Sequence, residues 1–246
     1  MHRFLLRTLA ILLGILVCVP LHYLWKLAGR RSRWPRRFLW WVGYAAGMRV
    51  RIVGTPVPSH VLFVANHLSW LDIMVLAGAS GTAFVSKAEV GRWPVIGWLA
   101  GLNDTVFVER KDRSAASGQA AEIRDALTTG QPVALFPEGS TDGGTETLPF
   151  RASLFSSLLP PIPGVRLQPV AIDYGPAGPD IAWVGDEPAG ANVKRVLSRR
   201  GTTPVTLRFL EPIDPARFDD RKAMANAAHA EVAAALEPSS AGPDRL

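Results

Sequence analysis

A chain of 246 residues, 48% apolar and 20% charged, has the size and composition of one globular domain, which excludes a disordered or collagen-like polymer. Its net charge of +6 is uneven: the first 51 residues carry ten Lys and Arg and no acid, leaving a net of −4 on the other 195. A nucleic-acid-binding protein is expected to carry its basic excess on the folded domain, so nucleic acid is not an expected partner; a basic leader beside an apolar run points to a membrane surface.

The leader comes first in the chain. Thr8 to Trp25 are 18 consecutive uncharged residues, nearly all apolar, which as a helix would cover about 27 Å, close to the hydrocarbon thickness of a bilayer. No small-x-small cleavage site follows; Arg30, Arg31, Arg33, Arg36 and Arg37 do, which fits a cytoplasmic anchor better than a cleaved signal peptide. Phe38 to Met48 is a second apolar stretch, too short to span but rich in headgroup-level aromatics: Trp40, Trp41 and Tyr44. Two arrangements fit: the first segment spans, or both form a hairpin dipping into one leaflet. Either leaves the main domain on the cytoplasmic face of the inner membrane. The Gly43 to Gly47 spacing is a G-x-x-x-G helix contact, a pattern that is weak alone. Cys18, the single cysteine, allows no intramolecular disulfide and fits a reducing compartment.

Residues 1–50 are therefore read as a membrane anchor, 51–237 as one domain and 238–246 as a frayed tail. Within the domain, strands are expected over Val61–Ala65, Thr82–Ser86, Thr105–Glu109, Val133–Phe136, Val165–Asp173, Ala182–Val184 and Val205–Leu210. Helices are expected over Trp70–Ala77, Ala115–Leu127 and Arg217–Leu236. This alternation implies an α/β fold, a mixed sheet flanked by helices behind an N-terminal hydrophobic helical segment. Ala88–Leu102, with Trp93, Val95, Ile96 and Trp98, reads either as a core helix or as part of an apolar tunnel or membrane-facing surface.

Dinucleotide, P-loop, nucleophile-elbow and H-E-x-x-H signatures are missing. What remains is Asn66-His67-Leu68-Ser69-Trp70-Leu71-Asp72, at the carboxyl end of the Val61–Ala65 strand, where open α/β sheets place their ligands. Ser69 and Asp72 have capping-box spacing for the helix at Trp70. Such a capped turn would hold Asp72 within reach of the His67 imidazole. Without further support, His67 could equally be a satisfied buried histidine.

Asn66-His67 with Asp72, Phe107-Val108-Glu109-Arg110, Phe136-Pro137-Glu138-Gly139-Ser140 and Leu167-Gln168-Pro169-Val170 resemble, in order and rough spacing, the four sequence blocks of the glycerolipid acyltransferases, which include the 1-acylglycerol-3-phosphate acyltransferases. The resemblance implies that His67 is a general base activating a lysophospholipid hydroxyl toward an acyl thioester, with Asp72 orienting the ring. It also implies that Asn66, Arg110, Glu138 and Gly139 serve acceptor binding, Arg110 through a phosphate. Arg151 could add a further positive charge. Acyl-CoA or acyl carrier protein would be the donor, with no metal and no cofactor. Backbone amides at the start of the Trp70 helix would serve the oxyanion.

One departure stands out. Many phosphatidate-forming members carry a basic residue two positions after the third-block glycine, and here that residue is Thr141. Lysophosphatidate is the leading expected acceptor and a lyso-ornithine lipid the alternative; a membrane lipid-binding protein without turnover is the reading from another class.

Overall fold

The computed structural model describes residues 2–108, 113–141, 143–144 and 147–237. The leader folds as two helices, α1 (His2–Leu27) and α2 (Trp34–Ala45), the latter with Pro35 in its first turn, where no N–H is needed. Then come β1 (Met48–Val53), β2 (Val61–Ala65), α3 (Trp70–Ser80), β3 (Ala83–Lys87), the short α4 (Ala88–Gly91) and α5 (Ile96–Leu102), β4 (Val106–Val108), α6 (Arg113–Thr128) and β5 (Val133–Leu135). A 3-10 segment over Ala152–Leu158 leads to β6 (Arg166–Asp173), α7 (Gly178–Ile181), α8 (Ala189–Ser198), β7 (Thr203–Phe209) and α9 (Arg221–Leu236).

The seven strands make one sheet in the order β1-β7-β6-β2-β5-β3-β4. β2 through β6 run parallel; β7 is antiparallel to β6 and carries β1 alongside it, so the sheet is mixed, as expected. β2 lies at the centre with all five residues buried, Val61, Phe63 and Ala65 facing one core cluster and Leu62 and Val64 the other. A strand covered on both faces needs a continuous apolar run, and Val61–Ala65 is one. α3 and α8 cover the first face, and α6, α9 and the Ala152–Leu158 segment the second.

One expected strand is absent. Ala182–Val184 is a loop after α7, because its backbone groups go elsewhere: Arg195 takes the Ala182 carbonyl at 2.7 Å and the Trp183 amide donates to the Leu68 carbonyl at 2.8 Å. β1 and α8 were not among the expected elements, and β1 begins at Met48, ahead of the boundary drawn at residue 50. The expected tail over 238–246 lies outside the described residues.

The leader is fastened to the domain along its length. Arg7, near the start of α1, donates to the Gly201 carbonyl at 2.7 Å and to the Val196 and Leu197 carbonyls at the end of α8. Near the other end of the helix, the Trp98 indole donates to the Tyr23 hydroxyl at 3.4 Å. α1 is long and apolar enough to cross a membrane, yet one face packs on α2 through Cys18, Phe38 and Val42. The opposite face leaves Leu5, Leu6, Leu9, Leu12, Leu13 and Leu16 exposed. Trp93, Val95, Ile96 and Trp98 are exposed as well, so of the two readings of Ala88–Leu102 the core helix fails. Nor is Gly43/Gly47 a helix contact pair: Gly43 faces Val75 of α3, whereas Gly47 lies past the end of α2 at φ +97° against the Arg7 guanidinium.

α2 and α3 approach closely at Gly78 of α3, where a Cβ would stand 2.7 Å from the Trp40 Cα of α2. Backbone cannot yield as a side-chain tip can, so Gly78→Ala pushes α2 off the domain. Thermal unfolding of the full chain in detergent should show a loss of about 1–3 kcal/mol; an unchanged melting temperature would mean that α2 does not pack as described.

Candidate active site

β2 ends at Ala65, and the Asn66 side chain extends its pairing with β6: Nδ2 donates to the Ile172 carbonyl at 2.9 Å and the Ile172 amide donates to Oδ1 at 2.8 Å. Both polar ends of this buried amide are thereby spent. Asn66, expected to bind acceptor, instead anchors the turn that presents His67.

His67 is held from three sides. Its Nδ1 lies 2.8 Å from Asp72 Oδ2, its ring stacks on Phe136 at a centroid distance of 3.9 Å, and its backbone amide donates to Glu138 Oε2 at 3.1 Å. The Nδ1 proton donated to the carboxylate leaves Nε2 as the acceptor nitrogen, on a side chain still 18% exposed. That is the tautomer and the accessibility a general base needs.

Asp72 is fully buried and accepts four hydrogen bonds. Oδ2 receives the His67 ring and the Leu68 and Ser69 amides at 2.7 and 2.8 Å, and Oδ1 receives the Tyr174 hydroxyl at 2.6 Å. Ser69 caps α3 and Asp72 completes the capping box, the arrangement expected from their spacing. Burial, and then the Asp72 charge, push the Tyr174 phenol well above its ordinary range, so it is a permanent donor here. The same network engages four amides around the start of α3, where the oxyanion donors are expected: those of Leu68 and Ser69 go to Asp72, that of Leu71 to Ser69 Oγ and that of Asp72 to the Ser69 carbonyl.

From β5, Phe136-Pro137-Glu138-Gly139 brings the third block beside His67. Glu138 is 2% exposed, and Gly139 adopts φ +74° with the Arg151 guanidinium against it, 2.7 Å from where a Cβ would stand. Arg151 thus lies beside the third-block turn. Thr141 donates its hydroxyl to the Trp183 carbonyl, tying this turn to the loop after α7. Arg110 lies outside the described residues. Among the described residues no three His, Cys, Asp or Glu side chains converge as a metal site requires.

Sequence reasoning missed Tyr174, which follows the strand next to β2 exactly one residue past its end, a placement that could have flagged it. It also missed the chain beyond Trp70. The Trp70 indole donates to Asn192, Asn192 donates to Glu187 at 2.7 Å, and Arg195 grips Glu187 in a two-bond fork at 2.9 and 2.8 Å. Hydrogen bonds from Arg195 and then Asn192 pull the Glu187 carboxyl down to about 2.

The acyltransferase family matches residues 49–173, about half the chain, a stretch that holds Asn66, His67, Asp72, Glu138, Gly139 and Arg151. The chain belongs to the acyltransferase family. It is 38% identical over 236 residues to a lyso-ornithine lipid O-acyltransferase of Brucella abortus, covering 89% of this chain and 88% of that one. A Pseudomonas aeruginosa protein of the same description is 36% identical, over 80% and 77%. A 1-acyl-sn-glycerol-3-phosphate acyltransferase of Neisseria gonorrhoeae is 34% identical, over 70% and 69%. The fold matches the crystal structure of the 1-acyl-sn-glycerophosphate (LPA) acyltransferase PlsC of Thermotoga maritima, with a TM-score of 0.60 and 22% identity over 97% of this chain and all of the other. The protein is an acyltransferase, and its lipid acceptor is the open question.

Three outcomes are expected. His67→Ala should lower turnover by about 10²- to 10⁴-fold with the fold intact by circular dichroism; near-normal turnover would remove His67 from the chemistry. Tyr174→Phe leaves one oxygen of a buried carboxylate unpaired, so stability should fall by about 1–3 kcal/mol and kcat should fall while acceptor KM holds. Unfolded, Glu187 titrates near 4.5, so its clamp contributes fully above that pH and is lost as pH falls toward 2. The melting temperature of the wild type should decline across that window more steeply than that of Glu187→Gln.

Proposed function

We propose that this enzyme transfers a fatty acyl group from an acyl thioester, carried by coenzyme A or acyl carrier protein, to the free hydroxyl of a lyso-ornithine lipid. His67 Nε2 takes the hydroxyl proton as the oxygen attacks the thioester carbonyl, and Asp72 stabilises the imidazolium that results. The tetrahedral intermediate collapses by breaking the C–S bond, and the departing thiolate recovers the proton from Nε2. No acyl-enzyme forms. The observation that carries the chemistry is the His67–Asp72 contact at 2.8 Å with Nε2 left open.

The acceptor assignment rests on the relatives of that description, 36–38% identical to this chain. Thr141 supports it. Engaged with the Trp183 carbonyl, it supplies no cation where many phosphatidate-forming enzymes have one. Such a lyso-lipid presents an ornithine carboxylate rather than a phosphate, and Arg151 beside Gly139 is a cation suited to one carboxylate. A second reading, lysophosphatidate, draws on the Neisseria relatives and on the phosphate role that the resemblance implies for Arg110. When both acceptors are offered at equal concentration in mixed micelles with a labelled acyl thioester, the label should enter the ornithine lipid first. Preferential formation of phosphatidate would install the second reading.

We infer that α1 and α2 lie in one leaflet, with the domain on the cytoplasmic face of the inner membrane. Arg7 and Tyr23, 16 positions apart in α1, both bond the domain, which a helix running away across the bilayer could not do. The exposed leucines of α1 and the exposed Trp93–Trp98 stretch then face acyl chains. Tags at the two ends of the chain should be reached by reagent from the same side of the membrane; labelling from opposite sides would restore the spanning arrangement.

A further inference from the structure

At the seam between the leader and the amino end of the sheet is a cavity of about 160 Å³. His22 lines it from α1. That side chain is only 3% exposed, and neither ring nitrogen has a hydrogen-bond partner among the described residues. Two unmatched nitrogens buried so deeply are costly unless a ligand bonds them. Beside His22 stand Lys26, Arg30 and Arg31, which form no ion pair among the described residues, opposite Asn103 and a single carboxylate, Asp104. Arg36 also lines the cavity, but its guanidinium is committed to the Gly78 and Ala79 carbonyls at the end of α3.

Arg30 and Arg31 also line an adjoining cavity of about 270 Å³, walled by Trp25 and Trp34, whose rings meet edge to face at 6.3 Å. Leu24 and Leu27 are exposed nearby on α1. Cations and a bare imidazole on one side, with indoles and leucines on the other, complement an amphipathic anion rather than a free one. The place is remote from acyl transfer. Gly81 and Gln131 of the first cavity precede β3 and β5, whereas His67 follows the carboxyl end of β2, so the length of a five-residue strand, roughly 15 Å, separates them.

We propose that this seam binds the phosphate of one anionic phospholipid, which joins the leader to the domain as a structural lipid. His22 and the Lys26/Arg31 pair hold the phosphate, and the chains run out past Trp25 and Leu27. Native mass spectrometry of the full chain in neutral detergent tests this without depending on how α1 sits in a bilayer or on which acceptor is used. The protein is offered phosphatidylglycerol, phosphatidylcholine or inorganic phosphate. One phosphatidylglycerol per chain should be retained, about fivefold or more over phosphatidylcholine, and millimolar inorganic phosphate should not displace it. Lys26→Gln/Arg31→Gln, which changes only exposed polar groups, should lose about fivefold or more of that retention with its circular dichroism unchanged, and His22→Leu should lose it too. Equal retention of the two lipids, or undiminished retention by the double variant, would overturn the proposal. Displacement by inorganic phosphate would make this a free-phosphate site and overturn it equally.

Discussion

The candidate site is built around one buried carboxylate. Asp72, on the first turn of α3, accepts from the His67 ring, from two backbone amides and from Tyr174, so four donors from two parts of the chain fix one group. A carboxylate removed from water is tolerable only when so fully bonded. The same bonding makes the imidazole rigid and sets its tautomer. The capping box and the His67–Asp72 contact are therefore one structure: the residue that completes the cap of α3 also orients the imidazole.

The sheet supplies what surrounds that group. β2, β5 and β6 lie side by side, and the segments leaving their carboxyl ends bring in His67, the Phe136–Gly139 turn and Tyr174 respectively. Phe136 stacks on His67 and in turn on Phe84, so an aromatic column braces one face of the ring. On the flank, Arg195 and Glu187 secure the loop after α7, which closes over the turn at Leu68 through Trp183. The leader adds a face of exposed leucines to the same body.

What was legible in the sequence was local. The five-residue apolar run of β2 and the Ser69/Asp72 spacing each sit within a few residues, and the structure forms each as expected. Long-range partners were not legible: Tyr174 is 102 positions from Asp72, and no periodicity marks it. β1 was hidden because Arg49 and Arg51 look like part of the basic leader, although Met48, on the inward side of that strand, is buried. Ala182–Val184 misled because three apolar residues suit a strand or a loop equally, and Arg195, 13 positions away, decided it by taking a carbonyl. Asn66 misled differently. Its place in the motif suggested a ligand contact, whereas its amide fits the next rung of β6.

The central claim is direct transfer, in which His67 deprotonates the acceptor and the protein is never acylated. It is tested most directly by mixing the full-length enzyme with a long-chain acyl thioester in the absence of acceptor, then following thiol release and the mass of the denatured protein. Direct transfer predicts an unmodified protein mass and no thiol beyond background until lyso-lipid is added, when thiol and ester appear together. A burst of thiol stoichiometric with enzyme, accompanied by a protein heavier by one acyl group, would contradict it.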